Sequence, residues 1–204
     1  MFKELKLTEN FTILTSTIIN IDNSILVKDL EYNCDISKFT GYGNKPGSLG
    51  IQSKIFIVSK NITNLRDELL KLFISHFQLD ENYLIYISDW VFISDNKNNQ
   101  SGYHNHTSEN NLDSIKEPPE WTVCYYVEMP NNLEGIDGHI SFKTKNDEEV
   151  SFLPAENQII MFPTDILHKP ELNKKSTNKR VVYAANLTIL DKNKKYEKNT
   201  NTLL

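Results

Sequence analysis

Cysteine is almost missing from this chain. Two in 204 residues, Cys34 and Cys124, stand far apart with no Cys-x-x-Cys spacing. That excludes a disulfide framework and a cysteine-based zinc site, and sets the expectation of a reducing, cytoplasmic setting. Excess positive charge is missing too. Twenty-two basic against 27 acidic side chains leave a net charge of −5. A chain of this sign has no overall attraction for nucleic acid or an anionic membrane. No apolar run reaches the roughly 20 residues that span a bilayer, and the start, Met-Phe-Lys-Glu-Leu-Lys, lacks the apolar core of a secretory signal. Arginine is the scarcest cation. Only Arg66 and Arg180 occur among the 22 basic residues, so an arginine at a meaningful place carries more information than it would elsewhere.

What is present reads as one soluble domain over residues 1–204, mainly β with a flanking helix. Hydrophobic residues make up 39% and charged residues 24%, a globular balance. Residues 11–20 and 24–28 are short and β-branched and predict strands, as does 54–59. Four of the seven glycines fall in 41–50, which predicts a loop over 33–50. Leu65, Leu69, Leu72, Phe73 and Phe77 recur at helical spacing and predict a helix over 64–77, with Asn64 as N-cap and Asp67 and Glu68 in its first turn. From Tyr83 onward the pattern turns sheet-like. Strands are predicted at 83–93, 121–129, 138–143, 149–153, 157–162 and 180–189, separated by Pro and Gly turns. Many short strands at such intervals suggest a jelly roll or barrel. Its core would span about 83–190. Residues 1–82 would supply supporting strands and a helix, and 191–204 a flexible tail. The polar stretch 95–120 reads as a long loop.

Of the five histidines, His76 and His139 read as structural. His104 and His106 form His-x-His. On an extended segment, residues two apart point to one side, so their imidazoles converge. This spacing begins many metal sites and also occurs in polar surface loops. His168 ends the apolar run Ile159 to Leu167 and is placed to complete three ligands. Arg180 opens the β-rich run to Ile189. Arginine binds a carboxylate through two parallel N–H···O bonds, although a surface arginine at a strand start is the ordinary alternative. Three imidazoles and one inward arginine together suit a small dicarboxylate bound at a metal.

Taken in order, these pieces resemble the Fe(II)/2-oxoglutarate dioxygenase superfamily, in its prolyl-hydroxylase-like branch and a bacterial and phage group within it. The resemblance rests on Asp89-Trp90-Val91, Tyr103-His-Asn-His106, Trp121 to Val127 with its Tyr-Tyr pair, Gly138 to Phe142, Pro154 to Pro163, and then His168, Arg180 and Asn186. It covers about residues 55–190. Asn157 stands where a glycine is usual.

The resemblance implies a distorted double-stranded β-helix, a jelly-roll variant. It implies that His104, His106 and His168 hold Fe(II), that Arg180 pairs with the distal carboxylate of 2-oxoglutarate, and that Thr122, Cys124 and Tyr126 face inward beside it. The Tyr126 phenol would donate to the same carboxylate. Asn186 would look toward the metal. Apart from the resemblance, Trp90, Tyr103, Trp121 and Tyr125 are aromatic candidates near the barrel mouth; core packing is the commoner role for Trp90 and Tyr125, which leaves Tyr103 and Trp121 as substrate contacts. The family's second ligand is usually a carboxylate, so Glu109 or Asp113 stands as the alternative to His106. The implied activity consumes O2 and hydroxylates an unactivated C–H of a peptide side chain or small metabolite, with ascorbate as a further cofactor. For a phage-encoded member the setting is the host cytoplasm. Two other readings remain open: a three-histidine cupin-type dioxygenase without 2-oxoglutarate, and a non-catalytic jelly-roll binding or structural module.

Overall fold

The computed structural model describes residues 1–9, 11–40, 51–94, 102–107, 119–171, 175, 176 and 178–195. Its elements run β1 (Lys3–Thr8), β2 (Phe11–Thr17), α1 (Asn23–Thr40), β3 (Ile51–Lys54), α2 (Lys60–Phe77), β4 (Tyr83–Ser94), β5 (Trp121–Glu128), β6 (Ile140–Lys143), β7 (Glu149–Phe152), β8 (Gln158–Pro163), β9 (Leu167–Pro170) and β10 (Arg180–Asp191). The described strands form a seven-stranded sheet, β1-β2-β8-β5-β10-β4-β3, and a three-stranded sheet, β7-β6-β9. Every pairing is antiparallel. The class is mainly β, a jelly-roll variant, as the strand pattern predicts.

The large sheet is buried on both faces, and alternation along its central strands sorts the residues. Val123, Tyr125 and Val127 of β5, with Val181, Tyr183, Ala185 and Leu187 of β10, pack under Leu26 and Leu30 of α1 and Ile62, Leu65, Leu69 and Phe73 of α2. Cys124, Tyr126, Val182 and Ala184 face the other way. They join Phe92, Ile140, Phe142, Ile160 and Phe162 between the two sheets. Each large side chain so enclosed contributes about 1.5–3 kcal/mol. A one-residue slip of β5 or β10 would exchange the two sets, so the register is strongly specified.

Several expected elements differ. Residues 24–28 are helical, not a strand, and α1 carries the chain through 40, where a loop from 33 is predicted. Asp22 starts it by accepting from Ser24 N–H at 3.0 Å, and Leu26, Leu30 and Cys34 supply its buried stripe. The rest of that loop lies outside the described residues. The strand expected at 54–59 ends at Lys54. There the Asn33 side chain captures Phe56 N–H and Ile57 N–H, each at 2.8 Å, diverting the backbone from the ladder. Helix α2 begins at Lys60, not 64. Ser59 is its N-cap, accepting from Ile62 N–H at 3.2 Å, so Asp67 and Glu68 fall beyond the first turn. Strands β1 and β9 are additional. Asn157, where a glycine is usual, has φ +65°. Asparagine tolerates this left-handed region better than most residues. Among the described residues no helix is long and apolar enough to cross a membrane.

Candidate active site

Three imidazoles meet between the sheets because of one short ladder. His104 lies opposite His168 on β9. His104 N–H donates to His168 O at 3.0 Å, and His168 N–H returns a bond to His104 O at 2.9 Å. Two residues on, His106 N–H donates to Thr164 O at 2.9 Å. Directly opposed antiparallel residues share a face, as do residues two apart on one strand. All three rings therefore project inward, with centroids 4.5–5.3 Å apart. Their ligand atoms lie within 4.8 Å of one another.

Each ring is turned the same way. His104 Nδ1 lies 3.2 Å from Gly102 O, and His168 Nδ1 lies 3.0 Å from Ile166 O. His106 Nδ1 lies 2.8 Å from Asn186 Oδ1. Carbonyl-type oxygens only accept, so each Nδ1 carries a proton and Nε2 is the nitrogen left to face a ligand. Trp90 packs on His106 at 5.2 Å and Phe162 on His168 at 4.7 Å. Burial holds His168 well below the ordinary histidine range, and His104 and His106 add to the effect. It stays neutral, as a metal ligand must. Imidazoles in this arrangement fit a divalent first-row transition metal.

The trio opens into a cavity of about 80 Å³, which Arg180, Tyr126, Cys124, Val182 and Ala184 also line. One water needs roughly 10–15 Å³, so several water-sized groups fit. The small side chains at 182 and 184 leave this space along β10.

Arg180 is 1% exposed. Its Nη1 donates to Gly138 O and His139 O, each at 3.2 Å, and Nη2 to Glu171 O at 3.0 Å. Among the described residues Nε–H has no hydrogen-bond partner. Burial draws its proton affinity down, partly offset by Tyr126, Cys124 and Glu171. Among the described residues no carboxylate pairs with it. The chain's other arginine differs. Arg66 donates from Nε and Nη2 to both oxygens of Asp89, at 2.7 and 2.9 Å. A guanidinium withdrawn from water without a carboxylate is costly unless an anion joins it. Burial also pushes the Cys124 thiol up to about 12 and the Tyr126 phenol well above its ordinary value, so both are neutral at physiological pH.

Most of the residues singled out in the sequence meet here: His104, His106, His168, Arg180, Tyr126, Cys124, Thr122 and Asn186. Thr122 and Asn186 reach the site through His106 and do not line the cavity themselves. Two others lie away from it. Trp121 packs on Phe77 of α2 at 5.1 Å, on the helix side of the sheet. Tyr103 alternates outward from His104 and lies under Lys169 and Lys143, with 4.7 and 5.3 Å from each amine to its ring. Glu109 and Asp113 lie outside the described residues. Trp90, Phe92, Ile140, Pro170 and Gln52 complete the lining. Of these Trp90 and Ile140 belong to motifs. The Gln52 signal is its register opposite Phe92, which no sequence pattern reveals.

No family model matches the sequence, and no curated protein matches it. Solved structures share its fold. A prolyl-4-hydroxylase of Pseudomonas putida is 11% identical with a TM-score of 0.57, covering 85% of this chain and 91% of that one. The non-heme alpha-ketoglutarate-dependent carbocyclase SnoK from nogalamycin biosynthesis is 8% identical with a TM-score of 0.61, covering 86% and 78%. A prolyl hydroxylase of Trichoplax adhaerens, solved with a hypoxia inducible factor peptide fragment, is 15% identical with a TM-score of 0.52, covering 87% and 83%. The chain thus has the fold of prolyl hydroxylases and other 2-oxoglutarate Fe(II) oxygenases.

Proposed function

We propose that this chain is an Fe(II)- and 2-oxoglutarate-dependent oxygenase, acting as a single catalytic domain and hydroxylating an unactivated C–H. The observation that carries the reading is the pairing, in one cavity, of three converging imidazoles with a buried guanidinium that has no carboxylate partner among the described residues. His104, His106 and His168 would hold the metal through Nε2. Arg180 would receive the distal carboxylate of 2-oxoglutarate, with Nε–H as a waiting donor and Tyr126 beside it. Bound iron and 2-oxoglutarate would supply the chemistry 2-oxoglutarate + O2 + R–H → succinate + CO2 + R–OH.

The chain's own part is placement. The carbonyls of Gly138, His139 and Glu171 hold the guanidinium in position before any ligand arrives. Val182 and Ala184 keep the channel between cation and imidazoles clear. Phe92, Phe162 and Trp90 exclude water, which strengthens each polar contact inside. The peptide beside one structural neighbour and the biosynthetic role of another support a peptide side chain or a small metabolite as substrate. A cupin-type dioxygenase without 2-oxoglutarate has no use for the buried cation and is disfavoured on that ground.

The test is succinate release from 2-oxoglutarate in air without substrate. It is expected to require added Fe(II) and to vanish in His104→Ala and His168→Ala. Succinate formation that persists in both variants would overturn the assignment.

A further inference from the structure

His104 and His168 are oriented by the same local device: each Nδ1 meets the carbonyl two residues earlier, Gly102 O or Ile166 O. His106 does not use it. The carbonyl two residues before it, His104 O, accepts from His168 N–H in the ladder, and His106 Nδ1 turns instead to a cross-strand pair, Thr122 on β5 opposite Asn186 on β10. Both are buried, at 0% and 2% exposure. Asn186 Oδ1 accepts from His106 Nδ1 at 2.8 Å and from the Thr122 hydroxyl at 3.1 Å. With its proton so directed, Thr122 Oγ1 presents lone pairs to His106 Nδ1 at 3.3 Å.

We infer that Thr122 and Asn186 are positioning residues that select an imidazole, not a carboxylate, as the donor at position 106. The inference rests on the metal reading above and goes beyond it. Two acceptors converge on one N–H, so the ring keeps the Nδ1–H tautomer and turns Nε2 inward. A carboxylate at 106 would set its oxygens against Asn186 Oδ1 and a hydroxyl whose proton is already used, and the amide would have to turn over to receive it. The pocket is built for a donor that carries a proton on its far side. A site so built is one unit more positive than a two-histidine, one-carboxylate site. Thr122 therefore acts on His106 and not on 2-oxoglutarate.

The test reads the ring directly in full-length, metal-free, 15N-labelled protein by long-range 1H–15N correlation. His106 is expected as a single Nδ1–H tautomer in the parent and in Asn186→Asp, whose carboxylate accepts from the same N–H. Thr122→Val and Asn186→Leu are expected to give mixed tautomers at His106 only. Co(II) titration, followed by its visible ligand-field bands, should show affinity lowered about 10- to 100-fold in Asn186→Leu and restored in Asn186→Asp. Thr122→Val keeps the shape of the side chain, so it serves if Asn186→Leu does not fold. A parent His106 protonated on Nε2 would overturn the inference. So would unchanged tautomer and affinity in Thr122→Val and Asn186→Leu. A parent with the expected tautomer that binds no Co(II) would instead overturn the metal reading, and the donor role with it.

Discussion

Replacing Arg180 separates its two jobs. Arg180→Leu leaves the carbonyls of Gly138 and Glu171 without this donor, while His139 O keeps Glu171 N–H at 2.8 Å. Two orphaned acceptors at about 1–2 kcal/mol each come to about 2–4 kcal/mol. Removing a desolvated cation offsets part of this, so a net loss of about 1–3 kcal/mol is expected, against about 5–15 kcal/mol for a whole domain. Arg180→Lys keeps a charge and some donors and should lose only about 1–2 kcal/mol of stability. It loses the planar fork, however, and one charge-assisted bond of about 1.5–3 kcal/mol weakens 2-oxoglutarate about 10- to 100-fold. Urea denaturation with and without 2-oxoglutarate, under anaerobic Fe(II), reads both effects. At 100 times its dissociation constant the ligand should raise the parent's stability by about 2.7 kcal/mol, and at that same concentration should raise Arg180→Lys by much less. The reasoning fails if Arg180→Leu matches the parent in midpoint, or if Arg180→Lys gains as much from 2-oxoglutarate as the parent does.

Ala184→Leu places three extra carbons in the cavity between cation and imidazoles, and should weaken 2-oxoglutarate at least about tenfold while Co(II) binding by calorimetry stays near parental. Tyr183 donates to Asp89 Oδ2 at 2.6 Å, and burial first, then Asp89, raises its proton affinity well above the ordinary tyrosine value. The unfolded chain loses this proton near pH ~10, so the stabilisation is complete below that pH and is lost as pH rises toward the folded value. Tyr183→Phe should therefore be less stable than the parent near pH ~8, with the gap narrowing above pH ~10 in urea titrations. His106→Ala should weaken Fe(II) binding strongly in anaerobic calorimetry; full affinity in this variant would move the third-ligand role to Glu109 or Asp113.

The features most legible in the sequence were those set by alternation and residue chemistry. Thr122, Cys124 and Tyr126 fall on one side of β5 and Val123, Tyr125 and Val127 on the other because a strand has no third option. The scarcity of arginine made Arg180 conspicuous. Helix α1 was hidden because Ile25-Leu26-Val27 imitates a strand, and its buried stripe of Leu26, Leu30 and Cys34 is thin among polar residues. Strand β9 is four residues long and ends in Pro170, so its apolar neighbours read as a turn. That Trp121 and Tyr103 do not line the cavity was hidden for a related reason. Aromatic character alone does not say which face is inward, and both sit one step out of phase with Thr122 and His104. The orientation of His106 by Thr122 and Asn186 depends on a contact between distant strands, and no local pattern announces it.

Anaerobic addition of Fe(II) and then 2-oxoglutarate, followed by visible absorption, reaches the central proposal most directly. A weak charge-transfer band should appear only when both are present, and should be absent from His168→Ala at the same concentrations. No band with the parent protein, despite saturating Fe(II), would contradict the joint placement of metal and 2-oxoglutarate in this cavity.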